Sequence, residues 1–126
     1  MRTRGGNQLI RVVSPDGEVS TLTGGRFITA YKDGPLAEAR FHHPVDIAVN
    51  PAGDLFVADS LNHCIRRISS DGMVSTVAGR CGYSGYVDGV AEEAEFNLPQ
   101  GLTLDSEGNI YVADTRNYRI RKIVFE

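Results

Sequence analysis

Short apolar runs alternate along the chain with polar turns that contain glycine. The runs are rich in β-branched and aromatic residues, which favour the pleated surface of a sheet. Between them, turns such as "PAGD" and "SEGN" place Gly53 and Gly108 where a tight hairpin needs a positive φ. Four runs lie close together at "VDIAVN" (45–50), "DLFVAD" (54–59), "HCIRRIS" (63–69) and "MVSTVAG" (73–79). This pattern predicts a four-stranded antiparallel meander over residues 41–79.

The same pattern is written again further along the chain. "FVADSLNHCIRRI" (56–68) matches "YVADTRNYRIRKI" (111–123) at a spacing of 55 residues. The spacing also overlays 14–24 on 69–79 and 31–44 on 86–99 without a gap. Self-similarity at a fixed period indicates a repeat architecture. Since "DLFVA" and "IAV" are apolar on both faces of a strand, we expect the sheets to be covered on both sides. Sheets stacked around an axis, as in a β-propeller, satisfy this requirement.

The motif letters resemble those of the NHL repeat family. The family pattern is Pro-x-Gly-Ile-Ala-Val, then Gly-x-Ile-Tyr-Val-Ala-Asp, then Asn-x-Arg-Ile, and "LPQGLTLDSEGNIYVADTRNYRIRKI" follows it closely. The first copy departs from it, with Asp46 where the second has Gly101 after Pro99. The resemblance implies blades of a propeller with six blades in most members. It also implies a scaffold that binds protein and, in some relatives, RNA.

The repeat predicts an all-β chain of propeller blades that cannot close into a ring. We expect one unit over residues 1–126, with a partial blade at 7–24, a complete blade at 41–79, a partial blade at 96–126, and linkers at 25–40 and 80–95. Pro35 predicts one or two helical turns in the first linker. Propellers need about four to eight blades. Three explanations stay open: a piece of a longer NHL chain, self-association of three copies into a six-bladed ring, or an open stack.

Composition narrows the function classes. The net charge of −3 gives no bulk attraction to nucleic acid. No apolar run reaches the length of about 20 residues that a membrane helix needs, and the N-terminus lacks the apolar core of a signal peptide. We therefore expect no membrane contact and a cytoplasmic location. Cys64 and Cys81 form no CxxC pair, and the sequence leaves two interpretations open, a disulfide between them or, as we expect, two free thiols in a reducing compartment.

Polar residues recur at one place in each copy, at the end of the "VAD" strand. We interpret them as structural, because Asp and Asn side chains bond to local backbone groups and fix turns. We give a structural role also to the turn glycines and to the prolines that open the inner strands. The full structural set is Asp59, Asn62, Asp114, Asn117, Gly53, Gly108, Pro44 and Pro99.

The third strand carries a recurring arginine, at Arg11, Arg66 and Arg121. Such residues could contact phosphates of RNA, or could instead pair with acidic residues of the protein. The candidate binding set takes two of these arginines, their basic neighbours and a nearby tyrosine. Its members on the third strands are Arg66, Arg67, Tyr118, Arg119 and Arg121.

Histidines mark where the copies differ. His42 and His43 stand where the second copy has Asn97 and Leu98, and His63 stands opposite Tyr118. Adjacent histidines can bind metal, and the amidating lyases of peptide hormone maturation, which resemble NHL proteins, use a metal in this region. Three histidines supply a catalytic zinc site poorly, so His42 and His43 are weak metal candidates, and we expect no cofactor. The three histidines complete the candidate binding set. The sequence favours a non-enzymatic scaffold for protein–protein interaction, with a metal-dependent lyase or hydrolase and an RNA-binding protein as alternatives.

Overall fold

The computed structural model describes residues 2–4, 8–25, 31–91 and 93–125, with residues 2–4 described by their backbone alone. Asn7, residues 26–30 of the first predicted linker and Glu126 lie outside the described residues. The described chain forms three antiparallel sheets in sequence order. We name them the first, middle and last blade. The prediction of all-β propeller blades that form an incomplete ring is confirmed.

Each blade is a meander of consecutive strands. The first blade contains β1 (Arg2–Arg4), β2 (Leu9–Val13) and β3 (Val19–Gly24). The middle blade contains β5 (Pro44–Val49), β6 (Leu55–Asp59), β7 (Cys64–Ile68) and β8 (Met73–Ala78), and β4 (Gly34–Pro35) pairs with β8 at its outer edge. The last blade contains β9 (Pro99–Leu104), β10 (Ile110–Asp114) and β11 (Arg119–Ile123). Short 3-10 turns at Ser60–Asn62 and Thr115–Asn117 join the second and third strands.

Two details differ from the sequence prediction. The strand β1 pairs with β2, so the first blade holds the second, third and fourth strands rather than only the last two. The linker forms the short strand β4, which the sequence did not predict, and then the predicted helical turn, closed by the Ala39 amide on the Pro35 carbonyl oxygen at 3.1 Å. Since the last blade holds the first three strands, merging it with a first blade from another copy leaves two strands in surplus.

Apolar side chains from both faces of the middle blade form two cores. Leu55 and Val57 of β6 face the first blade and pack with Ile10. Phe56 and Ala58 of the same strand face the last blade. This alternation explains why β6 reads as continuously apolar in sequence, because each face is covered by a neighbouring blade.

The expectation of free thiols is wrong, because Cys64 and Cys81 form a disulfide. Pairing of Ile65 with Ala78 brings the start of β7 beside the end of β8. Chain reversal after Gly79 then returns Cys81 to within 5.1 Å of Cys64, measured between Cα atoms. Gly79 is required there, since a Cβ would lie 2.9 Å from the His63 carbonyl oxygen and the φ is +94°. A separation of 17 residues along the chain concealed this proximity.

Candidate functional site

Arg66 is the most densely bonded side chain of the middle blade. Its side chain is fully buried and its five N–H donors are all used. They bond to the carboxylates of Asp33 and Asp59, at 2.8–3.1 Å, and to the carbonyl oxygens of Lys32 and Arg40, at 2.8 and 2.9 Å. Asp33, Lys32 and Arg40 belong to the linker, so the arginine fastens the linker to the blade.

Aromatic rings complete this clamp. The Arg66 guanidinium lies 4.8 Å from the Tyr31 ring centre and 4.6 Å from the Phe41 ring centre. A guanidinium between two ring faces gains from the negative charge of both. We call Arg66 with Tyr31, Asp33, Phe41 and Asp59 the middle clamp.

Arg121 makes the same arrangement in the last blade. Its partners are the carboxylates of Asp88 and Asp114, the carbonyl oxygens of Val87 and Glu95, and the rings of Tyr86 and Phe96. We call this set the last clamp. Arg121 is 8% exposed, and Arg66 is fully buried. These two arginines therefore hold linkers. All five donors of Arg66 are used, and Arg121 makes four hydrogen bonds and an additional ion-pair contact with Asp88 at 2.7 Å.

Arg11 occupies the same repeat position in the first blade. Its Nε is buried and has no hydrogen-bond partner among the described residues. In the other two blades the corresponding Nε donates to an aspartate of the linker that precedes the blade.

The other basic candidates lie nearer the surface. Arg67 pairs with Asp54 at 2.9 Å with its side chain 44% exposed. The guanidinium of Arg119 stacks on the Tyr86 ring at 4.5 Å and donates to the Asn117 carbonyl oxygen. Tyr118 is 89% exposed.

The repeated Asp and Asn residues serve the turns. The Asn62 side chain donates to Asp59 at 2.8 Å, and the His42 amide donates to the other carboxylate oxygen at 2.8 Å. Asn117, Asp114 and the Asn97 amide repeat this set. Burial raises the pKa of Asp59, whereas the Arg66 charge acts in the opposite direction.

The histidines contact neighbouring blades. The Leu98 amide donates to Nδ1 of His63 at 3.0 Å, which joins the middle blade to the last. Gln8 makes the same bond in the preceding repeat, because its Oε1 accepts from the His43 amide. Gln8 and His63 both adopt a left-handed backbone with φ of 58°. We call these two bonds inter-blade latches.

The position of His63 is relevant to the prediction that His42 and His43 are weak candidates for metal binding. Burial lowers the pKa of His63, opposed by the charge of Asp114 and assisted by that of His42. The described residues contain no group of three His, Cys, Asp or Glu side chains placed to hold a metal ion. Thus His63 takes part in blade stacking, and no such group gathers around His42 and His43 in the part that the structure describes.

Sequence reasoning missed a groove on the last blade. It has a volume of about 860 Å³ and lies between β11 and the linker segment 86–94. Asp88 at its side has a side chain 72% exposed, and Ala78 of the middle blade reaches its wall. On the face of β11 turned away from the middle blade, Ile120 is 71% exposed. Across the described ranges, no helix has the length and apolar character needed to cross a membrane.

Comparison with known proteins identifies the repeat. The family model described as "NHL repeat" matches residues 41–68 and 96–123. NHL repeat-containing protein 2 of Bos taurus is 33% identical in an alignment of 127 positions that covers 93% of this chain and 18% of that protein. The chain thus spans less than a fifth of this curated relative.

Solved structures give the same result. A structural genomics protein from Bacteroides thetaiotaomicron superposes with a TM-score of 0.89 at 32% identity, over 94% of this chain and 30% of that chain. A protein described as auxiliary nutrient binding, from the same organism, gives 0.82 at 34% identity, over 96% and 33%. Virginiamycin B lyase of Staphylococcus aureus, at 18% identity, TM-score 0.58, and over 97% and 33%, shares the fold alone. The matched motifs, the blade topology and these relatives together show that this chain is built of NHL repeats.

Proposed function

We propose that the chain is a non-enzymatic NHL-repeat scaffold that binds other polypeptides through the open side of its last blade. One observation carries this proposal. The side chains of Arg66, Arg121 and His63 are committed to the clamps and a latch. By contrast, Tyr118 and Ile120, on the face of the last blade turned away from the middle blade, are 89% and 71% exposed. Contiguous exposed apolar residues mark interaction surfaces.

Comparison of the two repeats indicates what kind of partner would cover the exposed face of the last blade. Ile65 lies at the position of Ile120 in the preceding repeat and is fully buried against the last blade. The open face is therefore shaped to receive another blade of the same kind. Such a blade is supplied by the rest of a longer NHL chain or by a second copy.

Two alternatives belong to other classes. A metal-dependent lyase or hydrolase is suggested by virginiamycin B lyase, whose resemblance extends only to the fold. RNA binding rested on the arginines of the third strand, of which Arg66 and Arg121 are enclosed in the clamps. Neither alternative gains an observation from the described residues.

Sedimentation velocity over a wide concentration range tests the proposal. We expect the mass to rise above 13.7 kDa with concentration, and Ile120→Glu to weaken the association at least tenfold. Val49→Glu, on a valine of the middle blade that is 59% exposed, serves as the control and leaves association unchanged.

A chain that stays monomeric throughout, with Ile120→Glu identical to wild type, contradicts the proposal. Stoichiometric metal in the purified protein would favour the lyase. Binding to labelled RNA that weakens steeply with salt would favour the nucleic-acid alternative.

A further inference from the structure

The linker between the middle and last blades contains a loop that the repeat does not explain. Residues 80–85, "RCGYSG", overlay residues 25–30, "GRFITA", at the spacing of 55, and no letter agrees. The letters on both sides do agree, since Gly79 matches Gly24 and Tyr86 matches Tyr31. We call residues 80–85 the junction loop. Its sequence belongs to this one place in the chain, whereas the flanking letters build the blades.

A disulfide and a hydrogen bond fix the start of the junction loop to the middle blade. Cys81 is bonded to Cys64 at the beginning of β7. The Gly82 amide donates to the Asn62 carbonyl oxygen at 2.7 Å. Both contacts are made at the turn between β6 and β7, so this part of the loop follows the middle blade.

The last blade holds the other end of the junction loop. The Gly85 carbonyl oxygen accepts a hydrogen bond from the Asn117 side chain at 2.8 Å, and the Gly85 amide donates to the Phe96 carbonyl oxygen at 3.0 Å. A loop that is attached at both ends loses little conformational entropy when a partner binds to it.

The junction loop presents an aromatic ring and a cation together. Tyr83 is 62% exposed, and the Arg80 guanidinium lies over its ring at 5.0 Å from the centre. Glu95 holds the half-exposed Arg80 side chain at 3.3 Å. Gly85 leaves room for this carboxylate, because a Cβ at residue 85 would overlap it. Tyrosine and arginine are enriched among the residues that dominate the affinity of protein interfaces.

The charge around the junction loop favours an acidic partner. Arg80 is exposed, as is Arg116, which adjoins the Asn117 that bonds to the loop. The carboxylate that faces Arg80 belongs to Glu95, whose side chain is only 21% exposed. The hairpins at the opposite end of the blades expose the acidic residues Asp16, Glu18, Asp71 and Glu107. The net charge of −3 therefore conceals a basic surface at the loop, and charge complementarity selects carboxylates for it.

We propose that the junction loop is a docking site for an acidic segment of a separate polypeptide. An apolar or aromatic side chain of that segment packs on Tyr83, and a carboxylate pairs with Arg80. Within the described residues, Arg80 bonds to Glu95 through Nη1, which leaves Nη2 for the partner. The inference rests on the proposed scaffold function and adds a second surface with a stated partner chemistry.

Two labelled peptides test this with the intact chain. One has a phenylalanine between pairs of glutamates, and the other has glutamine in place of every glutamate. Fluorescence anisotropy at low salt follows their binding. We expect saturable binding of the acidic peptide and about tenfold weaker binding of the glutamine peptide, since the glutamine peptide cannot form the ion pair.

Variants of the chain locate the site. Tyr83→Ala should weaken binding of the acidic peptide about tenfold, and Arg80→Ala about fivefold. Met73→Ala is the control for the loss of an exposed apolar side chain, because Met73 is 46% exposed. Lys32→Ala is the control for the loss of a cation, because Lys32 forms an exposed ion pair with Glu38. Both controls should leave peptide binding unchanged.

Reduction of the disulfide gives an independent readout. Cys81→Ser frees the start of the junction loop and should weaken peptide binding about threefold at a temperature where the chain remains folded. Reductant should weaken binding to wild type by the same factor and leave the variant unaffected. In a nitrogen-15 NMR titration, the acidic peptide should shift amide signals of residues 80–85 and leave those of the hairpin 14–18 in place.

The outcomes separate the two proposals. Equal affinity for both peptides, or binding that ignores Tyr83→Ala, overturns the junction site even if Ile120→Glu still controls association. Self-association that is lost in Tyr83→Ala and kept in Ile120→Glu identifies a second copy as the occupant and overturns the separate polypeptide. Labelled RNA that displaces the peptide and binds more tightly overturns the acidic polypeptide as partner. Peptide binding with the expected variant effects, in a chain that stays monomeric, supports the junction site and removes the role of the open face.

Discussion

The middle and last blades share a sequence pattern but not an environment. Ile65 in β7 is fully buried, while Ile120 at the same position of β11 is 71% exposed. Their backbones pair identically with the preceding strand, as Ala58 opposes Ile65 and Ala113 opposes Ile120. The difference arises because a blade covers one isoleucine and no blade covers the other in the described chain.

The clamps, unlike the isoleucines, have nearly the same surroundings in both blades. Arg66 and Arg121 keep nearly the same partners, because the linker that each holds precedes its own blade. The comparison therefore separates two kinds of contact. A clamp is complete within one repeat, whereas an apolar face depends on the next repeat.

The clamp should give the largest effect on stability. Arg66→Met leaves Asp59 buried without its cation, and we expect a loss of about 4 kcal/mol in the free energy of unfolding. Arg67→Met, beside it on the same strand, removes an ion pair whose arginine is 44% exposed and should cost less than about 1 kcal/mol. Urea unfolding measures both, and equal losses would mean that the clamp contributes no more than a surface pair.

The isoleucines test the role of the next blade. Ile65→Ala should cost about 3.5 kcal/mol, since it opens a cavity between the middle and last blades. Ile120→Ala should change stability by less than about 0.5 kcal/mol in the dilute chain. Thermal unfolding at low protein concentration compares them. A large loss for Ile120→Ala would show that the open face is covered in solution.

The disulfide is a feature of the middle blade, since Arg119 replaces Cys64 in the last. Cys81→Ser should cost about 3 kcal/mol, the value expected for a closed loop of this length. Wild-type protein in reductant should fall to the stability of the variant, and the variant should not respond to reductant. Intact-mass measurement after thiol labelling without reductant should find no reactive cysteine in wild type.

The latch should give the smallest effect and one that depends on pH. The pKa of His63 is lowered in the folded chain, so its stabilisation is present above the unfolded pKa and lost as pH falls through the folded value. Protonation of Nδ1 removes the acceptor for the Leu98 amide, at a cost of about 1 kcal/mol. Unfolding between pH 7.5 and 5 measures this loss. His63→Gln copies the Gln8 latch and should remove the pH dependence, and an unchanged profile would assign it to another group.

Local pattern was enough to predict the repeat, the hairpins and all of the described strands except β1 and β4. Gly53 and Gly108 have φ of 93° and 87°, as their turns require. The recurrence of Arg66 and Arg121 was visible, but their burial was not, because the residues that enclose them come from a linker some 33 positions earlier.

The groove escaped prediction for a related reason. Its walls come from β11 and from the linker that precedes the last blade, and their approach depends on the tertiary fold. The disulfide was missed because it depends on how β7 and β8 pair.

The latches carry a consequence for how such chains can grow. Each latch residue accepts a hydrogen bond from a backbone amide of the next blade, that of His43 in one case and that of Leu98 in the other. Such a bond does not depend on the side chain of the donor residue. Gln8 and His63 are unlike side chains that serve equally as acceptors. The latch of a duplicated repeat therefore needs no matched side chain on its neighbour, and the apolar cores between blades are the contacts that require complementary side chains on both sides.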